Sequence, residues 1–175
     1  MKTKLNLGSG KDIKQGYINL DFEKYKGIDV IHNLDNFPYP FKDNTFEEIL
    51  ALNIMEHLNN PDGFIKELWR IGKNNCKIKI NVPHFTSRCT WIDLTHKRPF
   101  SFDSLKYYSE KKEDVYSLIT NNNVSFKVEF KPVMNRFNRF IGIGLLAKRF
   151  PRFYETFLCY IFTCGGIEFN LIIIK

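Results

Sequence analysis

The sequence predicts an α/β domain built on a mostly parallel, doubly wound sheet, and three observations carry that expectation. Apolar runs of strand length recur along the chain with helical patterns between several of them. The first run, Lys4-Leu5-Asn6-Leu7, breaks into Gly8-Ser9-Gly10. The second, Ile18-Asn19-Leu20-Asp21, ends on an acid. Such sheets hold a nucleoside in this way, because glycine lets the backbone approach the ligand and the acid accepts hydrogen bonds from ribose hydroxyls.

Taken in order, the runs place strands at residues 4–7, 17–21, 29–32, 48–52, 77–82, 125–132 and 166–174. Residues 8–17 are barely enough for a crossover, so the usual first helix is expected to be cut to about one turn. Asn60-Pro61-Asp62 offers a helix start; Phe64, Ile65, Leu68, Trp69 and Ile71 give one apolar face; Gly72 with Asn74-Asn75 stops it. A second helix is expected from Phe102 to about Asn121, followed by a basic, aromatic stretch over 135–163. The final run, Ile167-Glu168-Phe169-Asn170-Leu171-Ile172-Ile173-Ile174, begins with alternation and ends wholly apolar. It is expected inside the sheet, not at its rim.

A chain of 175 residues reads as a single domain over 1–175 able to bury its own core. Residues 1–82 read as the cofactor half, and 83–175 as the substrate side with the last strands. The net charge of +7, from 26 Lys and Arg against 19 Asp and Glu, favours an anionic partner. Cys76, Cys89, Cys159 and Cys164 match no zinc or redox spacing and read as buried or semi-buried thiols. Met1-Lys2-Thr3-Lys4 leads straight into the first strand with no apolar leader, which predicts a cytoplasmic location. The apolar runs at 141–147 and 157–164 are too short to span a bilayer. The flanking Arg136, Arg139, Lys148, Arg149 and Arg152 leave peripheral membrane contact open.

Gly8-Ser9-Gly10 alone is a weak signal, since the dinucleotide fingerprint wants a third glycine where Ile13 stands. A phosphate-binding Walker loop is excluded by Asp12 after Gly10-Lys11 and by Leu5 in the leading glycine position. Five segments in register are more specific. Leu5-Asn6-Leu7-Gly8-Ser9-Gly10, Asn19-Leu20-Asp21, His32-Asn33-Leu34, Phe37-Pro38-Tyr39-Pro40-Phe41-Lys42-Asp43-Asn44-Thr45-Phe46 and Ile54-Met55-Glu56-His57-Leu58 together resemble the class I S-adenosylmethionine-dependent methyltransferases. Within them the chain is similar to the small single-domain, type 11-like group, over residues 4 to about 105.

The resemblance implies a Rossmann-like, seven-stranded sheet with an antiparallel C-terminal strand, and S-adenosylmethionine as cofactor with S-adenosylhomocysteine as product. It implies that Gly8, Ser9 and Gly10 pass under the methionine part and that Asp21 holds the ribose hydroxyls. Asn33 and Leu34 would lie beside the adenine, with the Asn33 amide where the family often has a carboxylate. Leu52 and Asn53 would line the methionine carboxylate and amine. Glu56 and His57 read as helix-start residues, the carboxylate gaining from the helix dipole and the imidazole packing, neither one catalytic.

A second constellation follows the fifth strand: Pro83-His84-Phe85-Thr86-Ser87-Arg88, Trp91-Ile92-Asp93 and Thr95-His96-Lys97-Arg98-Pro99-Phe100. Loops beyond the carboxyl ends of parallel strands are where α/β folds put ligands. His84 and His96 are the general-base candidates. Arg88, Trp91, Asp93 and Arg98 are the acceptor-binding candidates. A metal set of His84, Asp93 and His96 has irregular loop spacing, and no metal is expected.

Methyl transfer is the leading activity, to an unidentified acceptor that is either a small molecule, with an anionic one among the options, or linked to lipid or glycan. The alternatives are a cofactor-binding pseudoenzyme, a membrane-peripheral or nucleic-acid-binding module, and a nicotinamide-dependent oxidoreductase. The oxidoreductase has no use for the 46–58 segment. Nucleic acid is disfavoured because the basic residues form no stacking platform and Asn53-Ile54-Met55-Glu56 is no Asn-Pro-Pro-Tyr-like tetrad. The acceptor atom and the oligomeric state are not legible.

Overall fold

The computed structural model describes residues 2–110 and 123–175. Among these residues seven strands form one sheet in the order β3-β2-β1-β4-β5-β7-β6. They are β1 (Lys4–Leu7), β2 (Ile18–Asp21), β3 (Val30–Ile31), β4 (Phe46–Leu52), β5 (Gly72–Val82), β6 (Ser125–Met134) and β7 (Cys164–Ile174). Strands β1 to β5 pair in parallel, and β7 pairs antiparallel with both β5 and β6. The last strand therefore lies inside the sheet and alone runs against the others, as expected.

The buried pattern follows strand position. In the centre, Leu5, Asn6 and Leu7 of β1 and Asn19, Leu20 and Asp21 of β2 are all buried, so neither strand alternates. Strand β5 starts at Gly72, earlier than expected, because its pairing with β4 shifts register between Phe46 and Glu48. The extra residues make a bulge at Asn74-Asn75, where Asn75 has φ +64, so that turn signal interrupts a strand instead of preceding one.

Helix α1 (Pro61–Ile71) matches its expected limits. The Asn60 side chain accepts from Gly63 N at 2.8 Å, and Pro61 fits the first turn, where its missing N–H costs nothing. Phe64, Ile65, Leu68 and Ile71 are buried.

The first crossover contains only turns, held by side chains from the strands it joins. Asn6 and Asn19 are register partners on β1 and β2. Asn6 Nδ2 donates to Asn19 Oδ1 at 3.0 Å and to Asp12 O at 2.9 Å. Asn19 Oδ1 also accepts from Lys14 N, and Asn19 Nδ2 donates to Lys14 O. Two buried amides thus give the loop backbone the partners that helical hydrogen bonds would have given it.

Beyond β5 lie α2 (Arg88–Ile92) and a 3-10 turn, Lys106–Tyr108. The helix expected from Phe102 does not form through Ser109. Phe102 is drawn into the core, stacked on Phe130 at 4.8 Å, with its N–H on Glu155 Oε1 at 2.8 Å. The rest of that expectation lies outside the described residues. Between β6 and β7 come α3 (Arg136–Phe140), α4 (Ile143–Arg149) and a short helical piece, Pro151–Phe153, running into the π-turn Tyr154–Leu158. Cys76, Cys159 and Cys164 are buried as expected, whereas Cys89 is exposed. Among the described residues no helix is long and apolar enough to cross a membrane.

Candidate functional site

Strand order reverses at β1, which has β2 on one side and β4 on the other. The carboxyl ends of these strands therefore diverge, and in open α/β sheets such a switch point is the ligand crevice. Two cavities open there. The first, of about 700 Å³, takes its walls from Gly8, Phe22, Asn33, Leu34, Asn53, Ile54, His57, Leu94 and Thr95, among others. The second, of about 470 Å³, is lined by Asn53, Glu56, His57, Asn81, Cys89, Asp93 and His96 with the ends of β5 to β7. Asn53 and His57 belong to both.

In the first cavity the chain turns sharply at Gly8, φ +59, where an added Cβ would stand 2.5 Å from Ile54 Cγ1. Only glycine fits that close approach. Gly10 has φ +50, but a Cβ there would meet nothing within 4 Å, so its surroundings are open space. Asp21 fixes this turn: its Oδ2 accepts from Gly10 N at 2.7 Å and its Oδ1 from Glu23 N at 3.0 Å. The carboxylate is buried and does not itself line the cavity. Ser9 is buried too, with Oγ unpartnered among the described residues. Asn33 and Leu34 line the cavity, and Asn33 Oδ1 accepts from Asp35 N at 2.9 Å. Asn53 has φ +54 at the end of β4; Leu52 just before it lines neither cavity.

The second cavity departs further from expectation. Met55–His57 is a three-residue 3-10 turn, too short to present a helix dipole. Glu56 is 1% exposed, its Oε2 has no hydrogen-bond partner among the described residues, and burial pushes its pKa up to about 7. His57 is no mere packing residue, since it lies between the cavities. Its pKa is lowered by burial and then by the nearby His96, whose ring centroid is 4.7 Å away.

The hydrogen bonds fix both tautomers. Thr95 Oγ1 donates its single proton to Asp93 Oδ1 at 2.7 Å, so at 2.8 Å it must accept from His57 Nδ1. Bonds from the Thr95 side chain and backbone lower the Asp93 pKa. His96 Nδ1 lies 3.2 Å from Thr90 O, and a carbonyl can only accept. Each imidazole therefore carries a proton on Nδ1 and turns its Nε2 elsewhere, that of His96 lying 3.7 Å from Asp93 Oδ2. The two constellations meet because the 93–98 loop is fastened to the 56–59 segment: Lys97 N donates to Glu56 O at 2.8 Å, and Arg98 Nη2 to Leu58 O and Asn59 O.

Several expected site residues stand elsewhere. His84 is fully buried, with Nδ1 against Thr86 Oγ1 at 2.8 Å and Nε2 against Glu155 Oε1 at 3.1 Å. It borders neither cavity and is out of reach as a general base for a ligand held there. It is likewise absent from the metal-competent cluster, where Glu56, His57 and His96 stand together instead. Arg88 is exposed and lines neither cavity. Trp91 and Arg98 border a shallow hollow of about 220 Å³ beside Asp93 and His96. Trp91 Nε1 donates to Phe85 O, and Arg98 Nη2 to the carbonyls of Leu58 and Asn59. His96 and Asp93 do line the second cavity. Sequence reasoning missed Phe22, Ile54, Leu94 and Thr95; the signal available for Phe22 was an aromatic directly after the strand-end acid.

Residues 9–80 match the protein family described as "Methyltransferase domain". Solved structures resemble the chain over nearly its whole length at low identity. A SAM-dependent methyltransferase from Archaeoglobus fulgidus is 15% identical with a TM-score of 0.60, over 98% of this chain and 85% of that one. An S-adenosylmethionine-dependent methyltransferase from Mesorhizobium loti is 8% identical with a TM-score of 0.56, over 97% and 90%. Phosphoethanolamine N-methyltransferase 2 of Haemonchus contortus, in complex with phosphomonomethylethanolamine and S-adenosylhomocysteine, is 11% identical with a TM-score of 0.52, over 99% and 49%. No curated protein sequence matches the chain. The resemblance read from the five segments is borne out: the chain has the class I methyltransferase fold and a methyltransferase-domain sequence over 9–80.

Proposed function

We propose that this chain, with its methyltransferase-domain sequence and fold, is an S-adenosylmethionine-dependent methyltransferase in which the first cavity takes the cofactor and the second the acceptor. The observation that carries the reading is the sharing of Asn53 and His57 by the two cavities. Methyl transfer needs donor and acceptor in contact along one line with water excluded, and two adjoining cavities supply that arrangement.

The residues present fit the cofactor. Gly8 lets the backbone fold tightly against Ile54, and Gly10 leaves its flank open. Asn33 and Leu34 provide the adenine wall, and Asn53 reaches both cavities. Asp21 serves by aiming the Gly10 turn, and a ribose contact would need its buried carboxylate to be reached through that turn. The bound sulfonium supplies an electrophilic methyl group with a good leaving group, so the protein contributes chiefly alignment and desolvation. The acceptor's nucleophilic atom is assigned to the polar wall made by Glu56, His57, Asp93 and His96, with His96 kept from the expected pair and His84 set aside.

The acceptor class we infer is an anionic one carried on lipid. The β6–β7 connection exposes Phe140 at 89%, Leu145 at 77% and Tyr160 at 79%, interleaved with Arg136, Arg139, Lys148 and Arg149. It lies at the same end of the sheet as the second cavity, whose wall includes Val133, Gly165 and Gly166.

The test is calorimetric titration with S-adenosylhomocysteine and S-adenosylmethionine, beside NADH. Micromolar binding of the sulfur nucleosides, lost in Asp21→Ala, is the expected result. Binding of NADH in their place would sink the reading.

A further inference from the structure

The orphaned carboxylate of Glu56 has no explanation in methyl-group alignment. A buried, unpartnered carboxylate oxygen is costly, yet this one stands beside two imidazoles at the junction of the cavities. One ligand atom from each of Glu56, His57 and His96 lies within 4.8 Å of the other two.

We propose that Glu56, His57 and His96 bind a divalent transition-metal ion of the Zn²⁺ class. Two imidazoles and one carboxylate form a donor set that zinc accepts in three-ligand sites, leaving a fourth position for an oxygen. A mixed nitrogen and oxygen set favours zinc over magnesium, which prefers oxygen alone. Tetrahedral zinc bond lengths require a mutual spacing of roughly 3.4 Å, so the three donor atoms would close up from within 4.8 Å on binding.

The surrounding bonds are those expected of such ligands. A metal-bound histidine commonly donates its other ring N–H to a carbonyl or carboxylate, which fixes the tautomer and raises basicity. His96 Nδ1 points to Thr90 O at 3.2 Å. His57 Nδ1 points to Thr95 Oγ1, itself bound to Asp93 Oδ1. His57 Nε2 is thereby left to a cation, and His96 Nε2 lies 3.7 Å from Asp93 Oδ2, an approach of two electron-rich groups that a cation between them would relieve; the ion would also satisfy Glu56 Oε2. The open position faces the second cavity, where an acceptor hydroxyl or carboxylate oxygen would be held. The binding site stands independently of the methyl-transfer reading; its use for an acceptor oxygen rests on that reading.

The experiment is titration of untagged, chelator-treated full chain with Zn²⁺ by calorimetry and with Co²⁺ by visible absorption, with no nucleoside added. One ion per chain and an intense tetrahedral-type Co²⁺ band are expected. His96→Gln and Glu56→Gln should each weaken binding by about tenfold or more, while His32→Gln leaves it unchanged. Thermal melts of the metal-free variants show whether each is folded, and the Co²⁺ band of the unmodified chain stands without them. Absence of stoichiometric binding would overturn the proposal. So would binding that survives both substitutions, or a thiolate charge-transfer band that disappears in Cys89→Ser. Because S-adenosylhomocysteine binding is measured separately, loss of one result leaves the other standing.

Discussion

Asn6 Nδ2 lies 3.0 Å from Asn19 Oδ1 across adjacent parallel strands, with both side chains 2% exposed. This pair replaces a helix, because the same two amides also hold the backbone of Asp12 and Lys14. Asn19→Ala is expected to lower stability by about 2–3 kcal/mol through the buried groups it leaves unpaired. Asn6→Ala should cost a similar amount, and the double variant less than the sum, since the residues share one network. Urea unfolding of the three variants measures this; strict additivity would mean that the amides act separately.

The two glycines of the first turn should behave differently. Gly8→Ala puts a Cβ against Ile54 and strains a left-handed backbone, at a cost of about 1–3 kcal/mol. Gly10→Ala meets only open space in the free protein, so its stability loss should be confined to the backbone strain of about 1 kcal/mol. If a nucleoside fills that space, Gly10→Ala weakens S-adenosylhomocysteine binding more than its effect on the melting temperature would suggest. Calorimetry beside thermal melts separates the two.

Glu155 Oε1 accepts from Phe102 N and lies 3.1 Å from His84 Nε2. One oxygen thus joins the end of β5, the following loop and the β6–β7 connection. Glu155→Ala should destabilise the fold by about 2–3 kcal/mol, because it strands a fully buried imidazole. It should leave S-adenosylhomocysteine affinity in the surviving folded fraction unchanged, since neither residue lines the first cavity. A selective loss of nucleoside affinity without loss of stability would contradict the structural role of His84.

Glu67 gives a pH dependence. Its burial raises the pKa, but bonds from Arg70 and Tyr39 N outweigh this and hold it below the ordinary glutamate value. A carboxylate whose folded pKa is depressed contributes stability above its unfolded pKa of about 4.5 and loses it as pH falls through the folded value. Acid unfolding of Glu67→Gln should therefore show a smaller loss of stability below about pH 4.5 than the parent chain. Identical acid limbs would refute the assignment.

The exposed aromatic and basic connection predicts a charge-dependent membrane affinity. Flotation with vesicles containing anionic lipid should recover the protein, and neutral vesicles should recover much less. Each cation near such a surface contributes about 1 kcal/mol. Replacing Arg136, Arg139 and Arg149 by alanine should then weaken binding by roughly a hundredfold. Recovery indifferent to lipid charge and to salt would remove the lipid-linked acceptor class.

The strands, their order of appearance and α1 were legible because their signals are local. The Gly-x-Gly break, the Asn60-Pro61 helix start and the apolar final run each report a backbone requirement within a few residues. The helix expected from Phe102 is absent through Ser109 for the opposite reason: Phe102 is held by residues distant in sequence, its ring stacked on Phe130 and its N–H bound by Glu155.

By itself the sequence determined the sheet, its buried last strand and the methyltransferase resemblance, since periodicity and motif spacing are properties of the chain; the reversed direction of that strand was what the resemblance implied. Only the tertiary structure decided which histidines matter. His84 and His96 look alike in sequence, yet the first is enclosed by Thr86 and Glu155 while the second is brought beside His57 and Glu56. The Lys97–Glu56 and Arg98–Leu58 bonds that do this join segments some forty residues apart. Burial and charge proximity are set by such long-range contacts, and with them the shifted pKa values of Glu56 and His57.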